Sequence, residues 1–195
     1  MPFAIRARAS AKILLHAASS AGVDSVTVIF FFSRSSAVTS SARIRSVSAF
    51  PASRPVGVRV SASDWMAGGW EIEQTVALGS ELKARGADWV TASSGGTSPQ
   101  QKIPLKPGYQ VPFARTIRER TGVNTVAVGL ITEPKQAEQI LSSGEADMIA
   151  LARGMLYDPR WGWHAAAELG ARIEAPPQYW RAPPHAHKDL FLQSL

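Results

Sequence analysis

The sequence predicts an α/β fold, on two observations. From Arg54 onward, short apolar segments rich in β-branched residues alternate four times with segments of helical periodicity. Each joint repeats a glycine that ends the helix and an acidic or amide residue that opens the next strand, at Gly86/Asp88, Gly122/Asn124 and Gly144/Asp147. Such alternation is typical of parallel strands covered by helices.

Four strands are predicted from their β-branched content and their boundaries. The first alternates along the chain and carries Val56, Val58 and Val60, which favours a strand with one buried face. The last is an apolar run with the length of a buried strand. The strands are placed at residues 55–61, 88–92, 125–130 and 148–151.

Four helices follow these strands. Helical spacing of apolar residues places them at residues 71–85, 111–121, 133–143 and 161–169. Pro112 is tolerated in the first turn of the second helix. Thr132 is expected to be the N-cap of the third helix, with Glu133 and Pro134 in its first turn.

Four β/α units can form a small doubly wound sheet or half of an eight-stranded barrel. No strand is followed by Gly-x-Gly-x-x-Gly, and no Gly-x-x-x-x-Gly-Lys-Ser/Thr occurs, which disfavours nucleotide-binding open sheets. In barrels the loops after the last two strands commonly bind phosphate. Here those loops are Gly129–Thr132 and Ala152–Gly154. The sequence therefore favours a partial (β/α)8 TIM barrel of about four C-terminal β/α units.

Ala152, Arg153 and Gly154 form the most suggestive turn in the chain. They follow the apolar run Met148–Leu151 and combine small residues with one positive charge. Backbone N–H groups in such a turn can approach an anion closely, and a guanidinium can bind two of its oxygens. This turn is a candidate phosphate site.

Composition excludes several classes of function. The chain has 195 residues and no cysteine, so disulfides, thiolate metal sites and cysteine nucleophiles are excluded. The apolar run 26–32 is too short to span a bilayer, and no membrane partner is expected.

The net charge of +6 is confined to the first 60 residues. Eight Lys/Arg and one acid there give a net charge of +7, whereas thirteen Lys/Arg and fourteen acids in residues 61–195 give −1. This distribution of charge disfavours nucleic acid as a partner.

Residues 1–53 differ from the rest, being rich in Ser, Ala and Arg and poor in acids. Three interpretations stay open: an organelle transit peptide, a disordered basic arm, or a segment read out of its natural frame. The expected organisation is an irregular basic segment at 1–53, the half barrel at 54–181 and a tail at 182–195. The expected location is cytoplasmic, or organellar if residues 1–53 are a transit peptide.

Five stretches together resemble a known family. They are Val58-Arg-Val-Ser-Ala-Ser-Asp64, Asp88-Trp-Val-Thr-Ala-Ser-Ser-Gly95, Pro107-Gly-Tyr-Gln-Val-Pro-Phe113, Ala127-Val-Gly-Leu-Ile-Thr132 and Ala150-Leu-Ala-Arg153. In order and spacing they resemble the C-terminal half of the Old Yellow Enzyme family, FMN-dependent ene-reductases on a (β/α)8 barrel. The match is to the subclass of NADPH dehydrogenases and xenobiotic reductases.

The resemblance implies cofactor-binding roles for four residues. Arg59 matches the arginine at the flavin pyrimidine edge, and Gly129 the glycine that lets the backbone approach the FMN phosphate. Ala152 and Arg153 match a Gly-Arg phosphate pair, in which alanine is tolerable only if its φ stays negative. Alternatives remain for two of them: Arg59 as a strand-end arginine paired with an acid, and Gly129 as a glycine that only permits a turn.

Arg181 matches an arginine that, in this subclass, enters the active site of the neighbouring subunit. This match allows a homo-oligomer formed through the C-terminal segment, and the alternative is a solvated tail residue. His185 and His187 lie beyond the resemblance and are interpreted as exposed tail histidines, so no metal site is predicted. Trp161 and Trp163 are interpreted as packing residues.

By resemblance, the activity is reduction of an activated alkene by a flavin that NADPH or NADH has reduced. The family's substrate-anchoring pair and tyrosine proton donor belong to its N-terminal half, and nothing in Met1–Arg54 matches them. We therefore assign no catalytic residue and expect a truncated chain that can be inactive. The alternative is a non-catalytic binding module with a basic targeting or nucleic-acid-binding arm.

Overall fold

The computed structural model describes residues 3–6, 12–15, 26–29, 54–96 and 98–192. Its strands are β1 (Phe3–Arg6), β2 (Lys12–Leu15), β3 (Val26–Ile29), β4 (Val56–Ser61), β5 (Trp89–Ser93), β6 (Asn124–Ala127), β7 (Met148–Ile149), β8 (Ile173–Glu174) and β9 (Phe191–Leu192). Its helices are α1 (Ile72–Ala84), α2 (Val111–Thr121), α3 (Pro134–Ser142), α4 (Arg153–Tyr157) and α5 (Trp161–Glu168), with 3₁₀ turns at Pro177–Tyr179 and His185–His187. None of the helices in these ranges is long and apolar enough to cross a bilayer.

The main sheet has five parallel strands in the order β3-β4-β5-β6-β7. Each strand lies beside the next one in the chain. A doubly wound sheet reverses its strand order at a switch point, whereas a barrel does not. The predicted α/β fold with parallel β/α units is confirmed, and the sequential order is that of a barrel wall.

The two faces of this sheet differ in character. Val58, Val60, Val90, Ala92 and Ile149 are almost completely buried and form one core with helices α1, α2, α3 and α5. Because successive residues of a strand point to opposite faces, the residues between them line the other face. That second face corresponds to the interior of a barrel.

A second, smaller apolar cluster lies at the C-terminal end of the described chain. Ile173, Leu190 and Phe191 are buried in it together with Ala166 of α5. Strand β9 pairs in parallel with β8, so the chain after residue 182 folds back onto α5. The division of the chain at residues 53/54 and 181/182 stays a prediction.

Several predicted boundaries are corrected. Strand β6 ends at Ala127, not at 130, because the backbone turns at Gly129 and Leu130, whose φ angles are 109° and 52°. The strand predicted at 148–151 is only Met148–Ile149, and the turn after it is the start of α4. The residue that caps α3 is Glu133, in extended conformation, with Pro134 as the first helical residue. Thr132 is not the cap, because the fixed φ of proline suits the first helical position and sets the start of the helix.

The segment 1–53, predicted to be irregular, contains three four-residue strands. Strands β1 and β2 pair antiparallel, and β3 pairs in parallel with β4 from Val26↔Val56 to Ile29↔Arg59. The sequence of β3, Val-Thr-Val-Ile, consists of β-branched residues that favour strands. The rest of residues 1–53 lies outside the described residues, so the interpretation of the segment as a whole stays a prediction.

The glycine–acid joints are confirmed, and the structure explains the acid. At the start of β5, Asp88 Oδ2 accepts a hydrogen bond of 2.6 Å from the backbone N–H of Val56, the first residue of β4. At the start of β7, Asp147 Oδ2 accepts one of 2.8 Å from the N–H of Thr125 in β6. Each carboxylate therefore ties the amino end of one strand to that of its neighbour.

Candidate functional site

Arg59 lies in β4 on the face opposite the helices. Its strand neighbours Val58 and Val60 are buried in the core, so alternation directs the half-buried Arg59 to the barrel-interior face. Its register partner in β5 is Thr91. Arg59 forms no ion pair with any residue in the described ranges, so these residues provide no support for the alternative of a strand-end arginine held by an acid.

Gly129 follows the carboxyl end of β6 with a φ of 109°. A Cβ atom added there would lie 3.0 Å from Gln110 Oε1 and 3.1 Å from Tyr109 Cε1. Its carbonyl oxygen accepts a hydrogen bond of 2.9 Å from the N–H of Gly108. Glycine is therefore required here by backbone conformation and by the neighbouring loop, whether or not a phosphate binds.

Gln110 is a residue that the sequence did not single out. Its side chain is almost completely buried, and Nε2 donates hydrogen bonds of 2.9 Å to Ser94 Oγ and 2.9 Å to Tyr109 Oη. The same serine oxygen accepts 2.9 Å from Trp65 Nε1. Gln110 thus fixes the loop that packs on Gly129. The only signal for it was its place in the Gly-Tyr-Gln-Val-Pro-Phe stretch.

Ala152 and Arg153 follow the carboxyl end of β7. The φ of Ala152 is −112°, so the condition set for alanine at this position is met. Arg153 opens the short helix α4 with an exposed side chain, and it pairs with no acid in the described part of the chain. Its guanidinium is therefore available to an external anion.

The strand pairing brings Gly129 and the Ala152–Arg153 pair to the same edge of the sheet. Strands β6 and β7 are neighbours, with Ala127 opposite Ile149, and Ala150 N–H donates to Ala127 O at 3.0 Å. Arg59 lies two strands from β6, which at about 4.8 Å per strand is roughly 10 Å across the sheet. The arrangement suits an extended ligand with an anionic end at β6–β7.

Arg181 is not part of this group. It is exposed after the 3₁₀ turn Pro177–Tyr179, beside the second apolar cluster. Within the described ranges no contact joins it to Arg59, Gly129 or Arg153. Its role in a neighbouring subunit stays a prediction.

The tryptophans have the expected packing role. Trp161 is buried, and its Nε1 donates a hydrogen bond of 2.6 Å to Thr132 O. Trp163 packs edge-on against Tyr179 and Phe191, with ring centroids 5.2 Å and 4.9 Å apart.

Among the described residues, no group of three or more His, Asp or Glu side chains is placed to bind a metal.

The resolved pKa shifts lie on surface helices. A hydrogen bond and the charge of Arg120 hold the pKa of the Glu73 carboxyl below its ordinary value, and Glu73 raises the pKa of Arg120 in return. Glu119 likewise raises the pKa of Arg115. These ion pairs belong to α1 and α2, so they stabilise the helical layer and supply no acid or base to the strand ends.

Comparison with known proteins connects this geometry to a family. Residues 43–171 match the model of the NADH:flavin oxidoreductase / NADH oxidase family. The chain is 47% identical over 127 residues to the NADPH dehydrogenase of Geobacillus thermodenitrificans, covering 65% of this chain and 37% of the relative. It is 47% identical over 128 residues to that of Bacillus licheniformis, covering 66% and 38%.

Solved structures support the fold alone. The chain resembles 2-naphthoyl-CoA reductase, solved with 2-naphthoyl-CoA, with a TM-score of 0.57 and 16% identity over 68% of this chain and 22% of that one. The chain spans only about 37% of the length of the curated relatives it matches. On the family match and the sequence identity, the chain belongs to the NADH:flavin oxidoreductase family, that of Old Yellow Enzyme.

Proposed function

We propose that this chain provides the FMN-phosphate end of an NAD(P)H-dependent oxidoreductase of the Old Yellow Enzyme type, which reduces activated alkenes such as enones. The observation that carries the proposal is the shared sheet edge of Gly129 and Arg153, with Arg59 two strands away on the interior face. Because the chain covers about 37% of its relatives, the activity and its substrates are part of the proposal.

The residues present fit FMN. Arg153 is exposed and forms no ion pair in the described ranges, so its planar guanidinium can bind two phosphate oxygens. The backbone at Gly129 can approach the phosphate, because glycine has no side chain. Arg59 would place a positive charge beside the flavin ring and favour its anionic reduced form. FMN, when bound, supplies the hydride chemistry, with NADPH or NADH as the donor and the alkene as the acceptor.

The proposal gives the described residues binding roles only. Arg59 orients the ring end of the cofactor, and Arg153 with the Gly129 loop holds the phosphate end. No proton donor and no substrate-anchoring pair is assigned within them. The chain is therefore proposed to bind the cofactor without turning over substrate by itself.

The test is a titration of the purified chain with FMN and, separately, with riboflavin, which lacks the phosphate. We expect FMN to bind more tightly than riboflavin. Arg153→Gln should weaken FMN binding by about tenfold to a hundredfold, which is the effect expected when a hydrogen bond between charged groups is lost. It should leave riboflavin binding unchanged. Arg59→Gln should weaken the binding of both FMN and riboflavin, because the proposed contact of Arg59 is with the flavin ring that the two ligands share.

Arg115→Gln is the matched control, since it removes an exposed arginine from α2, away from the strand ends. It should change neither affinity. If FMN and riboflavin bind equally, or if Arg153→Gln and Arg115→Gln behave alike, the proposed phosphate site is wrong.

The proposal extends to assembly and location. A homo-oligomer formed through the C-terminal segment would bring Arg181 into the site of a neighbouring subunit. Sedimentation of the chain and of Arg181→Gln, with FMN affinity measured on each oligomer, tests that role. A cytoplasmic location, or an organellar one if residues 1–53 are a transit peptide, stays a prediction.

A further inference from the structure

A cavity of about 810 Å³ lies between helix α5 and the C-terminal segment, apart from the proposed cofactor residues. Among the residues that line it are Arg160, Trp163, His164, Tyr179, His187 and Phe191. Its volume is in the range of small-molecule sites, which combine apolar and aromatic walls with a few polar groups. Neither the cofactor nor the hydride chemistry proposed above uses this cavity.

Arg160 is the most specific feature of the cavity. Its guanidinium carbon lies 4.0 Å from the ring centroid of Trp163 and 4.4 Å from that of Tyr179. Cation–π contacts with two rings hold the guanidinium in place and do not use its N–H groups as hydrogen-bond donors. In the described ranges, the guanidinium of Arg160 has no carboxylate partner, although the backbone N–H of Arg160 donates to Asp158 Oδ1 at 2.9 Å. A fixed guanidinium without a carboxylate is suited to bind one from outside.

Two histidines, His164 and His187, line the cavity together with the Arg160 guanidinium. His164 Nδ1 lies 2.7 Å from Asp158 Oδ2, a contact that orients the ring and leaves Nε2 for another partner. His187, interpreted from sequence as an exposed tail histidine, also lines the cavity. The one acidic residue of the lining, Glu168, has Lys135 Nζ 3.8 Å from its carboxylate. The acid is thus partly neutralised, and the cationic and polar donors dominate.

The aromatic and apolar part of the lining defines the rest of the ligand. Trp163 packs edge-on against both Tyr179 and Phe191, which makes a rigid wall. Leu190 and Phe191 are themselves buried, so the base of the cavity is apolar. A ligand that satisfies both parts has an apolar ring at one end and a carboxylate at the other.

We propose that this cavity is a binding site for small aromatic monocarboxylates, with the carboxylate on Arg160 and the ring against Trp163 and Phe191. The site is separate from the proposed cofactor site, so it can be tested whether or not FMN binds.

The experiment uses two probes with the same ring, 3-phenylpropionate and 3-phenylpropan-1-ol, and ligand-observed NMR on the whole chain. We expect the acid to bind at least about tenfold more tightly than the alcohol, as for a charge-assisted contact. Arg160→Gln should abolish that preference. Arg160→Lys should restore only part of it, because an ammonium cannot form the same planar fork.

Ala167→Phe, on the cavity lining in α5, should fill the space and prevent binding of both probes while Arg160 stays in place. Arg115→Gln is the matched surface control and should leave both affinities unchanged. Circular dichroism and the thermal midpoint of each variant report whether it is folded, and FMN titration of Arg160→Gln should match the parent chain.

Three results would overturn the proposal: equal binding of acid and alcohol, an acid preference that survives Arg160→Gln, or no binding of either probe. A chain that self-associates through this face, is made monomeric by Ala167→Phe and binds neither probe would identify the cavity as a protein interface instead.

Discussion

Gly129 allows the sharpest test of the loop geometry at the strand ends. We expect Gly129→Ala to destabilise the chain, because its φ of 109° is unfavourable for any residue with a Cβ atom. The new methyl group would also lie 3.0 Å from Gln110 Oε1 and 3.1 Å from Tyr109 Cε1.

The magnitude can be worked from these two effects. A residue held in a rarely populated backbone region costs about 1–3 kcal/mol, and crowding a packed site costs a similar amount. Gln110 cannot easily move aside, because its amide is held by Ser94 and Tyr109. The lower entropy of alanine in the unfolded chain returns about 0.4–1 kcal/mol. The net loss in the free energy of unfolding should be about 2–4 kcal/mol.

The assay is urea unfolding followed by circular dichroism, with Gly154→Ala as the matched control. A Cβ atom at Gly154 would meet nothing within 4 Å, and this glycine lies in helix α4 without a positive φ. The same chemical change there should be neutral or stabilise by up to about 1 kcal/mol. If the two variants have the same midpoint, the backbone and packing argument for Gly129 is refuted.

Two further predictions concern the helices and the joints. Asp147→Ala should lower the free energy of unfolding by about 2 kcal/mol in the same urea assay, since the Thr125 N–H loses its acceptor and Arg118 its ion pair. Glu119→Ala removes one member of a solvent-exposed ion pair and should cost clearly less. Equal losses in the two variants would contradict this. Because the pKa of Glu73 is lowered in the folded chain, its contribution to stability is present above the ordinary carboxyl pKa and is lost as the pH falls through the folded value. An NMR titration of the carboxyl should therefore show a depressed pKa that rises in Arg120→Gln, and an unchanged pKa would count against the pair.

Periodicity predicted the fold well where burial decides the pattern. Val111–Thr121 was predicted to the residue, because Pro112 and Gly122 mark both ends of the helix. The ends of β6 and β7 were predicted too far along the chain. Apolar residues continue past both strands, but the backbone turns at Gly129 after β6, and β7 ends at Ile149 ahead of helix α4. Residue composition indicates neither change.

For the candidate site, the sequence pointed to charged residues but not to the residues that hold the surrounding loops in place. Arg153 stood out as the one positive charge in a small-residue turn after an apolar strand, whereas Arg59 was identified only through the family resemblance. The cofactor-binding roles of both stay predictions. Gln110 gave no such signal, since an amide becomes informative only when its burial and partners are known. The cavity at Arg160 depends on Tyr179 and Phe191, and Phe191 reaches it only through the fold-back of the tail.

Asp88 and Asp147 tie the strands together at their amino ends, whereas Gly129 and Arg153 follow the carboxyl ends. The aspartates that tie the strands together therefore lie at one end of the sheet, and the residues proposed to bind the ligand lie at the other, where Gly129 is the one of them that the fold also requires. If the proposed site is correct, substitutions elsewhere in the carboxyl-end loops should change what is bound while the sheet keeps its register. A library restricted to these loops, with Gly129 kept as glycine, should retain folded members at a higher rate than one that also varies the two aspartates.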